Sequence, residues 1–472
     1  MDRLPLTAGD IAAAAGGRLE QGDPGREIER ISIDSRTIGT GEFFVAIRGD
    51  RFDGHGFVAA ALARGAMGVL IDATAADPTK SAIADWPDAV IVTTADTTRG
   101  LQAIARDVRR RSGTRVVAIT GSAGKTTTKE VAAEFLSARY RVFRNKGNLN
   151  NHIGLPLSLL ELRSRPEVAV VELGMNHPGE IRTLVGIAEP ELRVWTNVGD
   201  AHVGFFASSD AIADAKAEIL EQARAGDVLV ANADDPRIVA RARSFPGRVV
   251  TFGIDHPADV RALNVDDRGL DGTAARVRTP VGEVDLQTPL LGLGNLANVL
   301  AAAAVALQFD VPLDAIASRA AALRPAPHRG ELLRLAGGVT LIDDSYNSSP
   351  SALRRALETV KTATGSARKI AVLGEMLELG AHASRLHEEC GMAAAAADLT
   401  LLIAVGGPPA QALAEQAIRS GMPVNSVAYV MTSAEAAGLA AERTRPGDLV
   451  LVKGSRSIGT DRVVDRLKAE YA

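Results

Sequence analysis

The stretch RVVAITGSAGKTTTKEV, residues 115–131, predicts an apolar strand, a turn of small residues and the start of a helix. Backbone N–H groups at such a helix start point toward an anion, and Gly-Lys-Thr is typical of loops that hold nucleotide phosphates. The usual pattern, G-x-x-x-x-G-K-[ST], places a glycine where this chain has Ile119. The stretch alone therefore fits two interpretations about equally: an ordinary strand-to-helix turn, or a phosphate loop of a tighter kind.

A tighter loop would still supply the groups that phosphate binding needs. Gly121 and Gly124 permit close approach of the backbone and unusual backbone angles. Lys125 would reach the β and γ phosphates of a nucleotide, and the hydroxyl of Thr126 could ligate Mg²⁺. The rest of the chain has to decide between the two interpretations.

Short apolar runs, of the kind buried on both faces of a sheet, alternate with helical stretches along most of the chain. This alternation predicts the α/β class with parallel sheets. At 472 residues the chain exceeds a single core, and we expect a mixed α/β domain (1–111), a central domain with a parallel sheet (112–325) and a second alternating α/β domain (326–472). Residues 253–290 predict a β insertion, and RPAPHRGE predicts a linker and hinge near 325.

Composition argues against several classes of protein. The net charge of −4 gives no basic field for nucleic acid or an anionic membrane. The single cysteine, Cys390, excludes a disulfide framework and lies in a helical pattern, so we expect a small core residue in a reducing compartment. The start, MDRLPLTAGD, lacks a signal-peptide pattern, and no apolar run approaches membrane-spanning length. We therefore expect a cytoplasmic protein without a membrane segment.

Three polar residues lie at or just past strand-like runs of the central segment, where ligands gather in open α/β sheets. Glu172 ends EVAVVELG, His202 lies in WTNVGDAHVGFF, and Lys216 lies in the helical stretch AIADAKAEIL. Each also has a bland explanation, as a helix cap, an exposed histidine or a solvated lysine. Their joint order after the loop favours a site for magnesium and phosphate. Only nine of the 53 basic residues are lysines, which draws attention to Lys216 because lysine can lose its proton and react.

Ordered motifs in all three segments resemble the Mur ligase family, the ATP-dependent amide ligases of peptidoglycan precursor synthesis. The central segment contains TGSAGKTTTKE, NKGNLNNHIGLP, ELGMNHPGEI, TNVGDAHVGFF, DAKAEIL and LGLGNLANV. The C-terminal segment contains IDDSYNSSP, LGEMLELG and LVKGSRS, and the N-terminal segment contains DSRTIGTGEFFVAIRGDRFDGHGF. The resemblance implies an N-terminal UDP-sugar domain, a central P-loop mononucleotide-binding domain and a C-terminal Rossmann-like domain. It also makes the loop without the first glycine the family's own form of phosphate loop.

The resemblance implies roles for single residues. The implied nucleotide-binding residues are Thr120, Gly121, Ser122, Ala123, Gly124, Lys125, Thr126, Thr127, Asn295, Asn298, Arg329, Asp344 and Asn347. The implied magnesium ligands are Thr126, Glu172, His202 and Lys216. The implied substrate-binding residues are Ser35, Arg36, His55, Asn150, Asn151, Tyr346 and Asn347. The implied catalytic residues are Lys125, Asn150, His202 and Lys216.

The C-terminal motifs look like those of the family member that adds D-alanyl-D-alanine to UDP-N-acetylmuramoyl-tripeptide. That resemblance implies ATP, two Mg²⁺ ions, a carbamylated Lys216 and a monomer. The main alternative is a Mur-type ligase that adds a single diamino acid, although its arginine-containing recognition motif is absent from this sequence. A folate polyglutamate ligase, a P-loop switch ATPase and a sugar-nucleotide-binding protein with a decayed ATP site are further alternatives. The sequence leaves open whether the third residue of the tripeptide is meso-diaminopimelate or lysine.

Overall fold

The computed structural model describes residues 3–49, 52–75, 83, 85–200, 203–366 and 368–472. The chain forms two compact units. The first unit contains residues 1–118, 140–175 and 179–192, and the second contains residues 119–139, 176–178 and 193–472.

The strands in the described residues form three sheets, of five, nine and six strands. These strands are β1 (Arg18–Gln21), β2 (Arg30–Ser32), β3 (Glu42–Val45), β4 (Gly68–Asp72), β5 (Val90–Thr94), β6 (Arg115–Thr120), β7 (Val142–Arg144), β8 (Val168–Glu172), β9 (Leu192–Trp195), β10 (Val228–Asn232), β11 (Arg248–Gly253), β12 (Val260–Asp267), β13 (Thr273–Thr279), β14 (Gly282–Thr288), β15 (Glu331–Arg334), β16 (Thr340–Asp344), β17 (Lys369–Gly374), β18 (Leu401–Val405), β19 (Val427–Val430) and β20 (Leu449–Lys453).

The α-helices in the same residues are α1 (Ala8–Ala14), α2 (Val58–Ala63), α3 (Thr97–Ser112), α4 (Lys125–Leu136), α5 (Gly154–Leu159), α6 (Glu180–Ala188), α7 (Ser209–Ala217), α8 (Pro236–Ala242), α9 (Gly292–Leu307), α10 (Leu313–Ala321), α11 (Pro350–Thr362), α12 (Ala383–Ala395), α13 (Pro408–Arg419), α14 (Ser433–Arg443) and α15 (Asp461–Glu470). Short 3-10 turns connect several of them, among them Val203–Phe205 and Gly380–His382.

The five-stranded sheet belongs to the first unit and has the order β1-β5-β4-β3-β2. Only β1 runs antiparallel to its neighbour, and the other pairs are parallel. Every residue of β4 and β5 is buried, as expected for central strands of a parallel sheet with both faces covered. This arrangement confirms the mixed character predicted for the N-terminal segment.

Helix α3 closes the N-terminal segment and is anchored within the first unit. Its N-cap is Asp96, whose side chain accepts a hydrogen bond from the N–H of Arg99, and it ends at Gly113 with φ +70°. The buried residues Leu101, Ile104, Ala105 and Val108 follow helical spacing, so one face of the helix packs on the unit. The stretch TTRGLQAIARDVRRR therefore forms one amphipathic helix.

The nine-stranded sheet contains the central parallel strands and the predicted insertion. In the first unit β7 pairs parallel with β8. In the second unit β10, β11 and β12 pair in parallel, and β12, β13 and β14 then form an antiparallel meander. Residues 253–290 contain a single short 3-10 turn, Gly269–Asp271. The β insertion predicted there is confirmed.

The six-stranded sheet lies in the C-terminal segment, with the order β15-β16-β20-β17-β18-β19. Only β15 is antiparallel to its neighbour. Alternate side chains of β17 enter two different cores: Ala371 and Leu373 pack with α11, α12 and α13, whereas Ile370 and Val372 pack with α14 and α15. Strands buried on both faces produce the continuous apolar runs seen in the sequence, and the α/β class is confirmed.

Candidate functional site

The predicted phosphate loop connects β6 to α4. Five of the six β6 residues are buried, including Ile119, so Ile119 is a core residue of the strand. Gly121 has φ +153° and Gly124 has φ +79°, angles that favour glycine. Gly124 is the N-cap of α4, and no side chain caps this helix start. The first N–H groups of α4 are therefore suited to an anionic ligand.

Neighbouring side chains also leave no room for a Cβ atom at Gly121 or Gly124. A Cβ on Gly121 would lie 1.9 Å from Oγ1 of Thr196, and a Cβ on Gly124 would lie 2.2 Å from Oδ1 of Asn298. No side chain fits at either distance. Residues distant in sequence thus define the shape of this loop.

Lys125 is the first residue of α4, and its side chain bends back over the loop. Its Nζ donates a hydrogen bond to the carbonyl oxygen of Gly121 at 2.8 Å. Thr126 and Thr127 follow in the first turn and are half-buried. The ammonium group is therefore held at the loop, where it can meet phosphate oxygens.

Asn295 and Asn298 lie in the first turns of α9, and Asn298 packs against the phosphate loop at Gly124. Oδ1 of Asn298 accepts a hydrogen bond from Oγ1 of Thr128 at 3.3 Å, and its Nδ2 donates to Oδ1 of Asn295 at 3.2 Å. Nδ2 of Asn295 donates to the carbonyl oxygen of Leu291 at 2.9 Å. These bonds join the start of α9 to the start of α4.

Lys216 lies in α7 and is 2% exposed. The solvated lysine considered from the sequence is therefore wrong for this residue. A buried lysine is unusual, because an ammonium group out of water is costly unless it is compensated. His202 lies outside the described residues.

The predicted nucleotide residues of the C-terminal segment form one cluster at the carboxyl ends of β16 and β20. The guanidinium of Arg329 lies over the ring of Tyr346, 4.1 Å from its centroid. Nζ of Lys453 pairs with Oδ2 of Asp344 at 2.6 Å and donates to the carbonyl oxygen of Asn347 at 3.0 Å. Carboxyl ends of parallel strands are where ligands bind in such sheets, so this cluster is a candidate site.

The half-buried His328 and the buried His387 fix the turns around this cluster through their hydrogen-bond partners. Nδ1 of His328 lies 2.8 Å from Oδ2 of Asp343, which is fully buried. His387 accepts the N–H of Met376 at Nε2 and bonds the carbonyl of Ala383 through Nδ1, at 2.9 and 2.7 Å. Burial lowers the pKa of His387, so a neutral ring with its proton on Nδ1 satisfies both contacts. His387 thus holds the LGEMLELG turn in place.

The loop after β9 contacts the C-terminal segment inside the second unit. Oδ2 of Asp200 lies 3.4 Å from Nη2 of Arg354 in α11. The N–H of Gly204 donates to the carbonyl oxygen of Glu378 at 3.0 Å. The same loop bonds the phosphate loop, because Oγ of Ser122 accepts the N–H of Gly199 at 2.9 Å. One short loop therefore contacts both the phosphate loop and the C-terminal segment.

The first unit brings together Glu172 and Asn150. Glu172 ends β8 and is 4% exposed, and its Oε1 accepts a hydrogen bond from Nδ2 of Asn150 at 2.8 Å. Asn151 has a local task, since its Oδ1 accepts the N–H groups of Ile153 and Gly154 at the start of α5. Glu172 thus offers a buried carboxylate, a hard oxygen ligand suited to magnesium.

The three N-terminal candidates differ in accessibility. Ser35 is half-buried and Arg36 is exposed, and Arg36 forms a bidentate pair with Asp34, whose pKa falls to about 2 mainly through the Arg36 hydrogen bond. His55 is different: its Nδ1 lies 2.6 Å from Asp53, and its Nε2 accepts the N–H of Asp72 at 2.9 Å. Both ring nitrogens of His55 are occupied by protein groups, which favours a positioning role.

The described residues contain no group of three or more His, Cys, Asp and Glu side chains that could hold a metal ion. His202 is outside this search. In the second unit Thr126 offers a hydroxyl oxygen, a type of ligand that magnesium accepts. Cys390 is buried, as predicted, and burial raises its pKa to about 12, so it is an unreactive core residue.

Comparison with known proteins places these features in a family. Three family models match: "Mur ligase family, catalytic domain" over residues 27–109, "Mur ligase middle domain" over 119–306 and "Mur ligase, glutamate ligase domain" over 328–456. The UDP-N-acetylmuramoyl-tripeptide--D-alanyl-D-alanine ligase of Bacillus subtilis (strain 168) is 32% identical over 440 residues, 93% of each chain. The chain belongs to the Mur ligase family.

Solved structures of Mur ligases share the whole fold. MurF from Acinetobacter baumannii is 30% identical with a TM-score of 0.87, and the match covers 99% of this chain and 100% of that one. MurF ligase from Thermotoga maritima, solved in complex with ADP, is 28% identical with a TM-score of 0.81, covering 94% of this chain and 97% of that one. The described part of this Mur ligase has no helix long and apolar enough to cross a membrane.

Two residues with clear contacts to the candidate site escaped the sequence analysis. Lys453 lies in the quoted motif LVKGSRS. Lysines are few among the basic residues of this chain, and that scarcity could have drawn attention to Lys453. Asn197 lies in the quoted motif TNVGDAHVGFF and contacts Ala123 of the phosphate loop. The sequence around Asn197 gives no sign of this contact, because the contact depends on how β9 and the phosphate loop pack together.

Proposed function

We propose that this Mur ligase adds D-alanyl-D-alanine to UDP-N-acetylmuramoyl-tripeptide in an ATP-dependent reaction, giving the pentapeptide precursor of peptidoglycan with ADP and phosphate. The observation that carries the proposal is the likeness, over 93% of both chains, to a ligase named for this reaction. The phosphate loop with its left-handed Gly124 and bent Lys125 supports the use of ATP.

A carboxylate needs activation before an amine can form an amide with it. In the proposed reaction the terminal carboxylate oxygen of the tripeptide attacks the γ phosphorus, and the bond to the β-γ bridging oxygen breaks to release ADP. The amine of D-alanyl-D-alanine then attacks the acyl carbon, loses a proton, and phosphate leaves. Lys125, at the loop, would offset the repulsion between the anionic partners in the first step.

Catalysis, magnesium binding and nucleotide binding are proposed for three overlapping sets of residues. Lys125, with Asn150, His202 and Lys216, forms the proposed catalytic set. The proposed magnesium ligands are Thr126, Glu172, His202 and Lys216, and bound magnesium would stabilise charge on the transferred phosphoryl group. A carbamate on the buried Lys216 would serve a second ion. The proposed nucleotide site runs from Thr120 to Thr127 and includes Asn295, Asn298, Arg329, Asp344 and Asn347.

The proposed substrate residues are less direct. The half-buried Ser35 and the exposed Arg36 would bind the UDP end of the precursor, whereas His55 would fix the turn around Asp53. Asn150 would orient Glu172 or the substrate, and Asn151 would hold the start of α5. Tyr346, which stacks against Arg329, would contact the nucleotide or the dipeptide. We also propose the three-domain division 1–111, 112–325 and 326–472, which the ranges of the three family matches support.

A substrate panel tests the reaction. Release of ADP is measured with each UDP-muramoyl peptide combined with D-alanyl-D-alanine, D-alanine or a diamino acid. We expect release only when UDP-muramoyl-tripeptide and D-alanyl-D-alanine are both present. Release that requires a diamino acid instead would assign the chain to the single-residue-adding ligases, and release without either substrate would indicate a switch ATPase.

Lys125→Ala tests the ATP site within the same panel. We expect the variant to lose ADP formation while it keeps its affinity for the UDP precursor, because the Lys125 ammonium lies at the loop proposed to bind the phosphates of ATP. Lys361→Ala removes an exposed lysine at the end of α11 and serves as the control. Normal ligation by Lys125→Ala would overturn the assignment of the phosphate loop.

A further inference from the structure

The two residues that follow β9 lie against the phosphate loop. The side-chain amide of Asn197 bonds both polar backbone groups of Ala123: Oδ1 accepts the N–H at 2.8 Å, and Nδ2 donates to the carbonyl oxygen at 3.0 Å. The carbonyl oxygen of Asn197 also accepts the N–H of Ser122 at 3.0 Å. One residue outside the loop thus makes three hydrogen bonds to two successive loop residues.

These bonds decide which loop amides are available to a ligand. The N–H groups of Ser122 and Ala123 are donated to Asn197, so they are not directed at a phosphate. An anion would therefore approach the loop at Gly124 and the start of α4, where the N-cap residue is a glycine and has no side chain to cap the helix. Asn197 therefore fixes the Ser122–Ala123 part of the loop, and the start of α4 is the part where we expect an anion to bind.

A second layer of hydrogen bonds holds Asn197 and its neighbours. Nδ2 of the buried Asn232, at the end of β10, donates to the carbonyl oxygen of Thr196 at 2.8 Å. Oδ2 of Asp235 accepts the N–H of Val198 at 2.7 Å. Oγ1 of Thr196 donates to the carbonyl oxygen of Ala123 at 2.8 Å. The segment that holds the loop is itself fixed to the adjacent strand end.

We propose that Asn197 is a positioning residue for ATP, which sets the phosphate loop in its binding conformation before the nucleotide arrives. The proposal rests on the ATP site of the proposed function and deepens it. The loop is short and carries Ile119 where longer loops carry a glycine, so its shape depends on partners outside it. A loop that is ordered in advance loses less conformational freedom on binding, which strengthens affinity.

Titration of ADP into Asn197→Ala tests this role directly. The variant loses both side-chain bonds to Ala123, and each such bond is worth roughly tenfold or less in an equilibrium constant. We expect roughly tenfold weaker ADP binding and a similar rise in KM for ATP, with unchanged affinity for the UDP precursor. Asn197→Asp has the same shape but presents an oxygen to the Ala123 carbonyl, so we expect a loss at least as large. Asn425→Ala, at an exposed asparagine, is the control.

Thermal unfolding of each variant separates positioning from general stability. A purely structural role would lower Tm and leave ADP affinity of the folded protein unchanged, which would overturn the proposal. Wild-type ADP affinity in both Asn197 variants would also overturn it. A wild-type protein that neither binds ADP nor ligates would instead overturn the proposed function, so the two failures are distinguishable. If Asn197→Ala does not fold, the Asn197→Asp titration decides the question.

Discussion

Gly204 and Gly380 meet where the loop after β9 touches the C-terminal segment, and Gly204→Ala tests whether that contact serves catalysis. A Cβ on Gly204 would lie 2.5 Å from N of Gly380, 2.7 Å from O of Glu378 and 2.8 Å from C of Leu379. All three atoms belong to the backbone, so no side-chain rotation relieves the clash. The two loops must separate or the backbone must shift.

The size of the effect follows from the two interactions that are disturbed. Overpacking of a close contact costs about 1–3 kcal/mol, and the hydrogen bond from Gly204 to Glu378 contributes about 0.5–1.5 kcal/mol. A combined loss of about 2 kcal/mol would weaken the contact roughly 30-fold. If the contact holds the C-terminal segment over the reacting groups, catalysis that needs both nucleotide and dipeptide loses a similar factor.

Steady-state kinetics with the dipeptide varied measures this loss. We expect kcat/KM for D-alanyl-D-alanine to fall about 10–30-fold in Gly204→Ala, while ADP affinity, set mainly at the phosphate loop, changes little. Gly438→Ala is the matched control, because Gly438 lies on an exposed face of α14 with open space around the added methyl group. Alanine there should stabilise the helix by about 0.5–1 kcal/mol. Equal kcat/KM in the two variants would refute a catalytic role for the contact.

Two further predictions concern Lys216 and Glu189. Lys216→Ala should lose ligation and recover part of it when short-chain carboxylic acids are added, because these supply the missing carboxylate; full activity without rescue would remove Lys216 from the site. Glu189 accepts hydrogen bonds from Arg110 and Arg106, chiefly Arg110, which lower its pKa to about 2. A carboxyl with a depressed pKa stabilises the fold above its unfolded value, near 4.5, and the stabilisation is lost as pH falls toward 2. Glu189→Gln should therefore lower the free energy of unfolding at pH 7 by roughly 1 kcal/mol, because the partner arginines are exposed and solvent screens the pair, and flatten its pH dependence between 4.5 and 2 in chemical denaturation; an unchanged acid profile would contradict this.

Several elements were predictable because their signals are local. The apolar runs RVVAIT and KIAVLG became β6 and β17 almost residue for residue, since strands buried on both faces must be apolar throughout. The insertion at 253–290 was predictable from its missing helical period. The phosphate loop was recognisable from Gly121, Gly124 and Lys125, although its unusual first position made the local signal ambiguous.

The sequence and the family resemblance indicated candidate site residues, whose roles remain predictions, but not the contacts that these residues make. The sequence indicated His55 as a substrate ligand, yet both of its ring nitrogens bond protein groups. The sequence allowed Lys216 to be a solvated helix lysine, whereas in the structure Lys216 is buried. Lys453 pairs with Asp344, which lies 109 positions earlier in the sequence. No local sequence pattern predicts a pair between residues so far apart.

The sequence by itself determined the alternation of strands and helices, the small-residue loop ahead of α4 and the set of chemically capable side chains. These depend on backbone preference and on the burial of neighbouring residues, which a linear pattern records. Only the tertiary structure decided which polar groups remain available. Asn197 takes the N–H groups of Ser122 and Ala123, and Asn298 fills the space beside Gly124. Hydrogen bonds between distant residues require strands and helices to be packed at fixed separations, and that information exists only once the core has formed.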